Sequence, residues 1–181
     1  MLFNWPIRPE LIPALADIPA GYKFGTTRTT TATPHKHAGL DMGALGYDVL
    51  AAQNGKVERA YAYDKLGGPG IIDITHDDDS GFSWKTRYLH LDPKSFVVKA
   101  GDTVMSGLPI AKVGLLTSGS HLHFEIRQCS LGYTCTWPSG WTAVDPLTML
   151  SGGAGVGPGA DQGQLALLIA IGAALYFMVR G

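Results

Sequence analysis

The sequence predicts a mainly β fold, an antiparallel β-sheet or sandwich running to residue 150, followed by one hydrophobic C-terminal helix. Two observations carry this reading. Short apolar runs at residues 46–52, 70–75, 86–91 and 121–127 are separated by Gly, Asp, Asn and Pro, the punctuation of many short strands. The composition then breaks after Leu150, first to a Gly-rich stretch and then to an uncharged apolar one.

Taken in order, residues 1–19 read as an N-terminal extension with neither a basic n-region nor a continuous apolar run, so no secretory signal is expected there. Residues 10–16 hint at a helical turn that Pro13 interrupts. Residues 20–150 form the expected domain. Within it, residues 97–113 alternate strand and tight turn, with Gly101-Asp102 and Ser106-Gly107 supplying the turn chemistry. Residues 151–163 hold six Gly and one Pro in thirteen positions, the composition of a flexible linker. Residues 164–181 contain a fifteen-residue uncharged run, 165–179. Apolar side chains would cover every side of such a helix, whereas a helix docking on its own domain needs a polar face. The expectation is a short C-terminal transmembrane anchor in a lipid bilayer.

Fourteen Lys and Arg against fifteen Asp and Glu leave a net charge of -1. No basic field exists to grip nucleic acid, and two cysteines are too few for a disulfide scaffold.

The histidines carry more information. His121 and His123 alternate in a strand pattern, so both imidazoles project from one face, about 7 Å apart. One can bind a metal while the other handles a proton. His37 and Asp41 add a nitrogen and an oxygen ligand, with Gly39 between them easing a turn. One carboxylate and two imidazoles leave zinc's fourth position open, the pattern of a catalytic site. His35 and His76 read as ordinary surface or core histidines.

These motifs resemble those of the LytM/lysostaphin-type zinc metallopeptidases, peptidase family M23, which cut peptidoglycan cross-bridges. The likeness runs over about residues 20–148. It opens at Phe24-Gly25 with Arg28 and passes through His37-Ala38-Gly39-Leu40-Asp41. Tyr88-Leu89-His90-Leu91 and His121-Leu122-His123-Phe124-Glu125 follow, and Asp145-Pro146-Leu147 closes it. The resemblance implies a zinc metallopeptidase domain with His37, Asp41 and His123 as Zn2+ ligands and His90 and His121 as the catalytic pair. Peptidoglycan would be the substrate. Ser120 stands where the family often has Pro, Ala111 where a Gly is common, and an insertion follows Arg127. These changes bear on substrate preference.

Cys129 and Cys135, separated by five residues in that insertion, are expected to form a disulfide, since a wall-cutting enzyme works where disulfides persist. The competing reading is a catalytically inactive peptidoglycan-binding or hydrolase-activating protein of the same fold, but such proteins typically lose ligands, and all five positions are kept. A terminal anchor without a leader points to an enzyme facing the cell wall from a membrane, carried by a phage virion that contains one.

Overall fold

The computed structural model describes residues 1–11, 17–29, 34–62, 69–77, 82–117, 119–130, 135 and 139–150. Their strands, in chain order, are β1 (Thr27–Arg28), β2 (His35–Lys36), β3 (Leu40–Met42), β4 (Asp48–Leu50), β5 (Gly55–Ala62) and β6 (Gly70–Asp77). β7 (Phe82–Leu91), β8 (Thr103–Val104), β9 (Pro109–Lys112), β10 (Leu122–Ser130) and β11 (Thr142–Val144) complete them. The one α-helix among the described residues is α1 (Pro146–Met149), whose first turn is capped by Asp145 accepting from the Leu147 amide at 3.0 Å. The described residues are mainly antiparallel β, in line with the punctuated apolar runs of the sequence. Residues 151–163 and 164–181, read as linker and anchor, lie outside the described residues. Among the described residues no helix is long and apolar enough to cross a membrane.

The main sheet runs β11-β10-β7-β6-β5-β8, with β3 also paired to β10. β3 lies along Leu122–Phe124 of β10, and β11 takes up the same strand further on, at Ile126, Arg127 and Gln128. A separate antiparallel ribbon joins β4 to β9. The turns leading into β8 and β9 pass through Gly101 and Gly107 at φ 94° and 82°, the left-handed region that glycine adopts at no steric cost.

Alternation along β10 sets the two faces of the sheet. Leu122, Phe124 and Ile126 are fully buried, and with Tyr88, Ile72 and Ile74 they form one cluster with Val49, Ile110 and Ala111 of the β4–β9 ribbon. Between them, His121, His123, Glu125 and Arg127 take the opposite face, following the two-residue period of a strand. His76 belongs to the core side. Its Nδ1 faces the Asn54 carbonyl and its Nε2 the Thr86 hydroxyl, each at 2.8 Å, as expected of an ordinary core histidine. Residues 1–19, read as an extension, contribute Phe3, Ile7 and Ile18 to the core cluster. Phe3 bridges Leu150, with the Phe3 amide donating to the Met149 carbonyl at 2.9 Å, so the two ends of the described unit are tied together.

Candidate metal centre

Strand register builds the site. Antiparallel pairing sets Asp41 of β3 directly opposite His123 of β10, and His37 enters just ahead of β3. Gly39 allows the turn to close by its lack of bulk. A Cβ there would run into the Phe124 carbonyl oxygen and come within 2.9 Å of His123 Nε2. Its φ is not in the left-handed region, so the reason is space rather than the turn conformation expected from sequence.

Three ligand atoms converge. His37 Nε2 lies 3.1 Å from Asp41 Oδ1 and 3.0 Å from His123 Nδ1, and His123 Nδ1 lies 2.8 Å from Asp41 Oδ1. The other nitrogen of each ring is committed elsewhere. His37 Nδ1 donates to the Lys23 carbonyl at 2.9 Å, and His123 Nε2 donates to Glu125 Oε1 at 3.1 Å. A carbonyl and a carboxylate only accept, so in the neutral rings the protons sit on those outer nitrogens. Two nitrogen lone pairs and a carboxylate oxygen are therefore turned toward one point, and a cation is the partner that satisfies them. Zn2+ fits this donor set in ligand type and number.

Electrostatics agree. Burial would raise the Asp41 carboxyl, but hydrogen bonds from His123 and His37 outweigh it and hold it far below the usual carboxylate range. Burial would lower His123, but Asp41 and Glu125 raise it above the ordinary histidine value. Glu125 follows the same logic: burial pushes it up, contacts with His123 and Arg127 prevail, and it is brought down to about 2. The centre attracts positive charge. Asp41 Oδ2 is meanwhile held by Arg28 of β1 at 2.5 Å, which leaves Oδ1 for the centre.

His90 and His121 flank this point, their ring centroids 4.9 Å apart, with His90 6.0 Å from His123. His121 Nδ1 donates to the Gly119 carbonyl at 2.8 Å. Its Nε2 faces inward, 3.6 Å from Asp41 Oδ2. His90 is presented by a break in the ladder. Leu91 pairs with Gly70 and Leu89 with Ile71, so His90 is an unpaired bulge residue at φ 66°. Burial, then the neighbouring His121 and His123, push its imidazole down to about 4, which keeps it neutral near pH 7. A cleft of about 220 Å³ opens beside His121, lined by Ile18, Pro19, Tyr22 and Gly43.

The structure thus brings together all five residues singled out from sequence. Two further partners, Glu125 and Arg28, enter the sequence reading only as parts of motifs. Glu125 was findable, because it shares the face of His123 by simple alternation. Arg28 was not, because no local pattern links it to Asp41. The disulfide between Cys129 and Cys135 is formed, and the Trp141 indole donates to the Cys135 carbonyl at 3.0 Å.

The chain is 32% identical over 116 residues to the peptidoglycan DD-endopeptidase ShyB of Vibrio cholerae serotype O1, a match covering 62% of this chain and 25% of that protein. It therefore spans about a quarter of that relative's length. A zinc-containing peptidase from Vibrio cholerae superposes with a TM-score of 0.53 at 31% identity, over 70% of this chain and 36% of that one. The antimicrobial peptidase lysostaphin from Staphylococcus simulans gives 0.57 at 28% identity, over 79% and 54%. The sequence model of peptidase family M23 matches residues 35–146, a span that holds His37, Asp41, His90, His121 and His123, and the chain belongs to that family.

Proposed function

We propose that this protein is a zinc-dependent endopeptidase that hydrolyses peptide cross-links of bacterial peptidoglycan. The observation that carries the reading is the convergence of His37 Nε2, Asp41 Oδ1 and His123 Nδ1 with their outer atoms already engaged, beside two further imidazoles. Zinc held by these three atoms would polarise a scissile carbonyl and acidify water at the site. His90, neutral near pH 7, can take up a proton released during attack. His121, whose Nε2 faces the same point, can hydrogen-bond the developing oxyanion or carry a proton to the leaving amine. A binding-only protein of the same fold is the competing reading; the presence of all five residues supports the catalytic one. Peptidoglycan as substrate is supported by the family and by the named activity of the Vibrio relative. From sequence alone, residues 165–179 are further proposed to hold the enzyme at a bilayer.

The test is digestion of purified peptidoglycan followed by muropeptide mass spectrometry. Cross-linked dimers should fall and monomers rise, with loss on chelation and recovery on adding zinc. Unchanged dimers with a zinc-loaded protein would overturn the assignment.

A further inference from the structure

Glu125 is the near end of a row of charged side chains crossing the sheet. Register sets Glu125 of β10 opposite Arg87 of β7, Arg87 opposite Asp73 of β6, and Asp73 opposite Arg59 of β5. Directly opposed residues share a face, so the four lie on one line that begins beside His123. Contacts follow the register. Arg87 Nε donates to Asp73 Oδ1 at 2.9 Å, and Arg87 Nη1 stands 3.5 Å from Glu125 Oε2. Arg59 donates to Asp73 Oδ2. Arg127 Nε donates to Glu125 Oε2 at 2.5 Å. Glu125 Oε2 thus accepts from Arg127 and lies within ion-pair reach of Arg87, which leaves Oε1 for His123.

Stability gives no strong reason for such a row. Asp73, Glu125 and Arg87 are buried, and well-packed apolar side chains commonly serve a core as well as buried ion pairs or better. What the row does supply is direction. A metal-bound histidine is oriented by the acceptor on its other nitrogen, and that acceptor must itself be fixed. Arg87 presents a rigid fork that one carboxylate on each side can grip.

We propose that Arg87 and Asp73 are positioning residues for the metal ligand His123, acting through Glu125. Asp73 orients Arg87, Arg87 holds Glu125, and Glu125 keeps the His123 ring turned so that Nδ1 faces the centre. The inference rests on the zinc reading above.

Zinc affinity of the full-length protein, measured by competition with a chromogenic chelator, tests it. The visible spectrum of the cobalt-substituted protein reports ligand geometry alongside. Asp73→Asn and Arg87→Lys touch no ligand, yet each should weaken zinc binding by about tenfold or more and alter the cobalt bands. Lys85 is the control. It is buried on the same strand and the same face, paired with Glu58 at 2.7 Å and set 4.3 Å over the Trp141 ring. Lys85→Met should leave zinc affinity within about twofold, against the tenfold scale of a lost orienting partner. Should Asp73→Asn fail to fold, Arg87→Lys decides, because it keeps the cation and removes only the fork. Wild-type affinity and spectrum in the folded variants would overturn the relay alone, as would an equal loss in Lys85→Met. A wild-type protein that binds no zinc would overturn the metal reading with it.

Discussion

His90 is the one non-glycine residue at positive φ among the described residues, and it flanks the metal centre. Left-handed backbone costs an L-residue roughly 1–2 kcal/mol, a cost kept where the geometry serves a site. Strain and chemistry are separable by substitution. His90→Gly relieves the backbone and His90→Ala does not, so the glycine variant should be the more stable by about 1 kcal/mol in denaturant melts. Both should lose turnover by about 10²-fold or more, the scale of a positioned acid or base, with zinc retained. Near-wild-type turnover in either would remove His90 from the chemistry. Its titration gives a second readout. The folded value of about 4 lies below the ordinary 6.5 of an unfolded chain, so the unfolded state binds the extra proton between those limits. Stability relative to His90→Gly should be fully present above pH 6.5 and decline as pH falls from 6.5 toward 4. A flat difference across that window would show that the ring is solvated.

At the scale of elements, the centre depends on β3 and β10 meeting at one register and one distance. Gly39 controls the distance, since a Cβ there meets the Phe124 carbonyl. Gly39→Ala should therefore cost about 1–3 kcal/mol by overpacking and weaken zinc binding as well, read by thermal melts and metal titration. An alanine variant as stable and as zinc-competent as wild type would show that the strands can part freely. The disulfide is an element-scale tie of another kind. Closing its short loop should contribute about 2 kcal/mol, so Cys129→Ser should lower stability by that order while leaving the zinc ligands untouched. How much of this was legible in sequence depends on range. The alternation of His121, His123 and Glu125 is local, so a two-residue period reveals it. The turns at Gly101 and Gly107 were legible for the same reason. The pairing of Asp41 with His123 is a register between segments 82 residues apart, and no local pattern encodes it; only the motif resemblance brought the two together. The bulge at His90 arises from a mismatch between β6 and β7, and Phe3 and Ile7 join the core without any periodicity to announce them.

For the whole molecule, the question is where the domain works. The described unit is closed on itself, with Phe3 bridged to Leu150, so a chain ending at residue 150 keeps every core contact described above. Beyond it the sequence offers thirteen Gly-rich residues and then the uncharged run 165–179. As a helix, fifteen residues would span about 22 Å at 1.5 Å each, short of a hydrocarbon core of roughly 30 Å. Local thinning of the bilayer, with Gln164 and Arg180 reaching the headgroups, can absorb that difference. Burying side chains such as Leu165, Leu168, Ile171 and Phe177 is worth several kcal/mol at about 25 cal/mol per Å², and salt does not screen that term. In the proposed arrangement a thirteen-residue linker would span about 20 Å on average, a reach that would let the domain move relative to a bilayer-held segment. Full-length protein mixed with lipid vesicles should therefore float with them in a density gradient, and should still do so in high salt. Residues 1–150 alone should stay at the bottom, bind zinc and cleave peptidoglycan in solution. Flotation abolished by salt would identify a surface charge contact instead. Full-length protein that stays at the bottom in low salt too would mean that residues 165–179 bury their apolar side chains against protein rather than lipid.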